Sequence, residues 1–168
     1  MLKILTLSFT LLFMACSSMV HKESVQLSHN KIYAIGSFWN YTQTPMAGLK
    51  SASIVESVLS QKNISVISLV DGDEQKSLKQ SKIAFLKEQT QKAKKLKADY
   101  LITGEVQEWR YKSGVDSEPV VSYSIKIIEL NSGKVLFNSI GAKSGWGNKS
   151  IGVVAQEIAS ELIPKFTD

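Results

Sequence analysis

The chain has 168 residues, of which 43% are hydrophobic and 21% charged, with a formal net charge of +5. That is room for one domain with a proper core and too little for two comfortable ones. A single cysteine excludes an internal disulfide, and no nucleic-acid-binding motif accompanies the positive excess, which is almost entirely lysine with Arg110 as the sole arginine.

The first sixteen residues read as a targeting segment. Lys3 supplies a positive start, residues 4–13 form a short apolar run, and Ala15 stands before Cys16. The run is shorter than the roughly 20 residues of a membrane-spanning helix, so it reads as a secretory signal. Leu12-Phe13-Met14-Ala15-Cys16 resembles a bacterial lipobox, which implies removal of residues 1–15 and acylation of Cys16 as the new N-terminus. Several acyl chains hold a protein to a bilayer far more firmly than one. Ser17 follows the cysteine, where an aspartate would signal inner-membrane retention, so the outer membrane is the implied address. The alternative is an ordinary signal peptide with an incidental thiol. Loss of Lys3 with the signal takes the net charge from +5 to +4.

Residues 16–30 are polar and read as a lipidated tether, with residues 31–168 as the single folded domain. Residues 31–38 predict a strand in which Ile32 and Ala34 oppose Tyr33 and Ile35. Residues 39–48 predict a loop. From residue 47 to 62, Ile54, Val55, Val58 and Leu59 recur at helical spacing, and Asn63 ends the helix. A β-branched strand follows over 64–70, then a turn at Asp71-Gly72-Asp73. A second helix is predicted over 75–97, burying Leu78, Ile83, Leu86, Ala93 and Leu96. Its lysines, including Lys82, Lys87, Lys92 and Lys94, read as a solvated face.

Residues 99–111 predict a long strand, with Gly104 marking a bulge or close packing. In the next, over 118–130, Val121, Tyr123, Ile125 and Ile127 face one way. Asn131-Ser132-Gly133 predicts a tight hairpin turn, since Gly133 can take a positive φ. A returning strand spans 134–142, and a glycine-bracketed loop surrounds Trp146. Asn148 is the expected cap of a last helix, whose stripe is Ile151, Val154, Ala155, Ile158 and Leu162 and which Pro164 stops. The order β-α-β-α-β-β-β-α predicts an α/β (mixed α+β) fold: one mixed sheet packed with helices.

Chemistry is hard to find. His21 and His29 both fall in the tether. No HExxH, GxSxG or CxxC pattern exists, and Gly145-Trp146-Gly147 does not extend into a dinucleotide fingerprint. The acidic pairs, Asp71 with Asp73 and Asp116 with Glu118, lie on loops. No catalytic residue, metal site or cofactor is predicted, and the chain reads as a binding or structural protein rather than an enzyme. Trp146 is open to two readings. It can rest at a membrane–water interface, where an indole ring meets apolar groups and keeps its N–H wet, or it can fold back over the sheet edge.

Three segments then carry a resemblance: Asn40-Tyr41-Thr42-Gln43-Thr44-Pro45-Met46-Ala47-Gly48, the stretch from Thr103-Gly104-Glu105 through Trp109-Arg110-Tyr111 to Gly114, and the tip Ser144-Gly145-Trp146-Gly147. Together, in order and behind a lipobox, they resemble the PelC family of outer-membrane lipoproteins, which serve export of the Pel exopolysaccharide. Ala98-Asp99-Tyr100-Leu101-Ile102-Thr103-Gly104 is similar to lipoproteins with a TolB-like or CsgG-like domain. The family resemblance implies a homo-oligomeric ring of about twelve subunits on the periplasmic face of the outer membrane, beneath the porin PelB. Its cargo is a cationic polysaccharide drawn by an acidic mouth. Asp116 matches the family's inward-facing aspartate and Glu118 can add to its field; Trp146 matches its membrane-contact tryptophan. The guiding role requires the lysines to lie off the aperture. The alternatives are a lipoprotein that activates a peptidoglycan synthase by contact, in the manner of LpoB, and a hydrolase of envelope glycans.

Overall fold

The computed structural model describes residues 17–21, 27–70, 80–114, 117–146 and 148–167. Its elements run β1 (Ser17–His21), β2 (Leu27–Ser28), β3 (Tyr33–Ile35), β4 (Trp39–Asn40), α1 (Ala47–Gln61), β5 (Val66–Ser68), α2 (Lys82–Lys95), β6 (Tyr100–Tyr111), β7 (Pro119–Glu129), β8 (Val135–Ser144), α3 (Ile151–Leu162) and β9 (Phe166–Thr167). The main sheet has the order β1-β8-β7-β6-β3-β5, with β4 also on β6. Strands β3, β5 and β6, linked to one another through helices, pair in parallel; the β6-β7-β8 meander is antiparallel. This is the expected mixed α/β architecture in one domain. Among the described residues no helix is long and apolar enough to cross a membrane.

The apolar stripes decide which face each helix covers. Val55, Val58 and Leu59 of α1 and Val154, Ala155, Ile158 and Leu162 of α3 pack on Tyr33, Ile35, Ile102, Val121, Tyr123, Ile125 and Ile127. Tyr123 is fully buried, and its hydroxyl donates to the Ala155 carbonyl at 2.6 Å, so the ring that fills the core also ties α3 to the sheet. Helix α1 ends as expected, with Lys62 as cap and Asn63 left-handed at φ 59°. Gly133, at φ 71°, turns the β7–β8 hairpin.

Several expectations need correction. The tether is not free over its length: β1 pairs antiparallel with β8, and β2 pairs with β9 while Leu27 enters the core. Backbone pairing needs no apolar alternation, so the sequence pattern carried no sign of it. Of the two readings of Gly104, close packing holds: a Cβ there would sit 2.0 Å from the Ser124 carbonyl oxygen, and the bulge falls further on, between Val106 and Glu108. Ser150, not Asn148, caps α3, accepting from the Val153 N–H at 3.3 Å. On α2, Ile83 and Leu96 are exposed, and Gln89 and Ala93 are the buried positions. The Asp71-Gly72-Asp73 turn and Leu78 lie outside the described residues.

Candidate functional site

Loops gather at the end of the sheet where β6 finishes and β7 begins. The first is the β6–β7 hairpin. Asp116 lies outside the described residues, but its neighbours define the hairpin's base. The Lys112 N–H donates to the Glu118 carbonyl at 2.8 Å, and the Lys112 ammonium reaches the Glu118 carboxylate at 2.7 Å. Glu118 is therefore a half-buried, compensated charge.

The second is the turn from β8 into α3. Gly145 is buried; its N–H donates to the Pro119 carbonyl at 2.8 Å, and a Cβ there would meet Val154 at 2.7 Å and Pro119 at 2.9 Å. Only glycine fits that approach. With Gly145 seated, the next residue stands clear of the core: Trp146 is 56% exposed, so it does not fold back over the sheet edge. Tyr111 and Val153 are also exposed nearby, at 49% and 44%. The Tyr111 hydroxyl accepts from the Ile151 N–H at 3.2 Å, joining the end of β6 to the first turn of α3. Sequence reasoning placed Tyr111 at the end of a strand and in one segment of the resemblance; antiparallel pairing sets it opposite Pro119, whose carbonyl holds Gly145.

The third is the loop after β3. Asn40 accepts from the Thr42 N–H at 2.9 Å and donates to the Thr44 carbonyl at 2.9 Å, and the Thr44 hydroxyl donates to the Trp109 carbonyl. Trp39 is half-buried against Phe85, whereas Tyr41 is exposed with the Lys82 ammonium 5.3 Å above its ring. Trp109 is core.

Beneath that loop, Glu105 accepts from Lys82 at 2.9 Å and from Lys126. Burial alone would raise the Glu105 pKa, but the Lys126 and Lys82 ammoniums outweigh it and hold the carboxyl below its usual range. Glu157, bonded by Lys143 at 2.8 Å and Lys149 at 2.6 Å, is likewise held low. In these two clusters the charges are spent on one another, lysine against glutamate.

At the opposite end of the sheet, where β3 and β6 begin, charge is uncompensated. Lys62, Lys94, Lys95, Lys97, Lys134 and Lys165 form no ion pair among the described residues, and Lys31 only approaches Asp99, at 4.0 Å. The α2 lysines at this end thus sit far from the β6–β7 hairpin. Among the described residues no group of three or more His, Cys, Asp or Glu could hold a metal, and His29 is exposed beside Phe166.

No family model matches the chain, and no curated protein sequence does. Solved structures do. The PelC dodecamer from Paraburkholderia phytofirmans is 26% identical with a TM-score of 0.74, covering 88% of this chain and 94% of that one. A leucine-to-methionine form of that dodecamer, in another space group, is 27% identical with a TM-score of 0.72, covering 86% and 95%. Lipoprotein GNA1162 from Neisseria meningitidis is 14% identical with a TM-score of 0.56, covering 77% and 94%, and shares the fold alone. The chain has a PelC-like fold.

Proposed function

We propose that this chain is a non-catalytic lipoprotein of the outer membrane, anchored through Cys16, whose copies form a ring on the periplasmic face and guide a cationic exopolysaccharide of the Pel type to its porin, PelB. The likeness to PelC dodecamers, at a TM-score of 0.74 across 88% of the chain, carries this reading. The rest of the molecule agrees with it. The Glu105 and Glu157 carboxylates are each paired with two lysines, and these clusters build structure rather than chemistry. Lys94 and Lys95 of α2 and Lys97 after it, which form no ion pair among the described residues, lie at the end away from the β6–β7 hairpin, which suits guiding of a polycation.

The guiding charge rests on Asp116, because Lys112 offsets Glu118. Trp146 supplies membrane contact, and a ring multiplies a weak contact through multivalency. Two measurements test the proposal. The mass of the detergent-solubilised protein should be that of a large ring; a monomer would overturn the assembly and favour an activator that works by single contacts. Asp116→Ala should lower the amount of secreted polysaccharide while leaving the ring and its folding intact, and unchanged secretion would remove the guiding role.

A further inference from the structure

Helices α1, α2 and α3 all end at the pole of the domain where β3 and β6 begin. That pole is strongly cationic. Lys31, Lys62, Lys97, Lys134 and Lys165 are exposed there, and among the described residues only Lys31 approaches a carboxylate, Asp99 at 4.0 Å. The acids beside them already have partners: Asp99 accepts from the Ile32 N–H at 2.9 Å, and Glu129 from the Ser132 hydroxyl. The dipole of a helix end accounts for Lys62, which caps α1, and for Lys94 and Lys95 in the last turn of α2. It does not account for Lys31, Lys134 or Lys165, which stand on no helix. Nor does it account for the apolar side chains among the lysines, Ile32 and Leu96 at 47% exposure and Val135 at 45%. An open groove of about 310 Å³ lies beside Lys31, lined also by His29, Ile32, Tyr33, Asn63 and Val66. Phe166 packs on Tyr33 and His29 at 5.4 and 5.8 Å between ring centroids, which brings the adjacent Lys165 to the groove.

We propose that this pole docks an acidic segment of a second protein. Aliphatic side chains of the segment rest on Ile32 in the groove, and its carboxylates pair with Lys31, Lys62 and Lys165. The inference goes beyond the guiding role proposed above and does not depend on it. Charge complementarity selects the partner: an excess of unpaired ammonium groups attracts carboxylates and sets the register of what binds. A second copy of this chain fits poorly, because a two-fold contact would set the same lysines against one another. An anionic glycan would use the ammonium groups and leave Ile32, Leu96 and Val135 in water. A peptide that carries both carboxylates and aliphatic groups uses both, as protein interfaces do with an apolar centre and a charged rim.

The test uses the full-length protein in a non-ionic detergent. The probe is a dye-labelled twelve-residue peptide of glutamates with leucine at every third position, followed by fluorescence anisotropy. This peptide should bind, and the same peptide with lysine in place of glutamate should not. Lys31→Glu combined with Lys62→Glu should weaken binding about tenfold, and Ile32→Ser about threefold, with circular dichroism unchanged. Where charge reversal disturbs folding, Lys31→Gln with Lys62→Gln should weaken binding in the same direction. Lys50→Glu, in the first turn of α1 at the other pole, should leave it as it was. Raising salt from about 0.05 to 0.3 M should loosen the complex. Absence of binding, or an equal loss in Lys50→Glu, would overturn the docking surface. Polygalacturonate that displaces the peptide at equal carboxylate concentration would overturn the protein partner and assign the pole to an anionic glycan. A fall in particle mass by light scattering in the Lys31 and Lys62 variants would overturn it too, in favour of contacts between copies.

Discussion

Helices α1 and α3 cover one face of the sheet, α2 the other, and the two faces are held by different means. Under α1 and α3 lies a broad core in which Tyr33, Ile35, Tyr123, Ile125 and Ile127 meet Val55, Leu59, Ala155, Ile158 and Leu162. Under α2 the buried apolar contact shrinks to Ala34, Leu101 and Leu130 against Ala93, with Leu86, Ile67 and Leu69 half-buried beside them and Phe85 against Trp39. Polar bonds supply the rest. The Gln89 amide donates to the Ser37 carbonyl at 3.2 Å, and Lys82 and Lys126 clasp Glu105. Area buried from water stabilises the first face whatever the pH, whereas the second depends on a few directional contacts. The α2 face is therefore the part expected to open locally before the rest.

The largest test of that contrast is deletion of core volume. Ile158→Ala removes a fully buried side chain of α3 and should cost about 2–5 kcal/mol in denaturant unfolding. Leu86→Ala on α2 should cost about 1–2 kcal/mol, because that side chain is already half in water. Equal losses would show that the two faces contribute alike and would break the comparison.

Acid sharpens it. The Glu105 carboxyl is held below its usual value, so its contribution to stability is fully present above the ordinary glutamate pKa near 4.5. It is lost as pH falls through the lower value that carboxyl has in the folded chain. Amide exchange across α2 should therefore quicken as pH drops below about 4.5 relative to β6 and β7. Glu105→Gln should produce the same loosening at pH 7 and abolish the α2 part of the acid response. The expected cost is about 1–2 kcal/mol, less than for a fully buried pair because Lys82 is 40% exposed. Glu157 is depressed too, by Lys143 first and then Lys149, so acid also loosens α3. A variant in which α2 keeps its pH dependence would assign the effect to α3 alone.

What was legible in the sequence follows the same division. The stripe of α1 and the alternation in β7 were readable because a large apolar face imposes its period on the chain. The bounds of α1 came out within a residue, since Asn63 could take the left-handed conformation that stops a helix. The resemblance carried by the first loop, the β6 stretch and the Trp146 tip likewise led to the PelC-like fold. On α2 the same arithmetic failed. Its buried positions are Gln89 and Ala93, and a short alanine contact with a glutamine bond leaves no apolar stripe to read. The strands β1, β2, β4 and β9 are two to five residues long and exist through main-chain pairing. Nothing in their side chains announces that, so the anchor-proximal segment read as a tether. Trp146 could be singled out as a tip residue, but its exposure depended on how Gly145 packs under Pro119 and Val154.

The smallest expected effect is the most discriminating for α2. Helical periodicity put Ile83 on the buried side, and the structure leaves it 81% exposed. A fully solvated isoleucine gains little from folding, so Ile83→Ser should move the unfolding free energy by no more than about 0.5 kcal/mol. The helix should keep its start, because Ser81 still accepts from the Ala84 N–H at 3.2 Å and that cap does not involve residue 83. A loss well above 1 kcal/mol in the monomer would mean that Ile83 is buried in solution. The α2 face would then have an apolar core of its own, and the distinction between a face held by area and a face held by polar bonds would disappear.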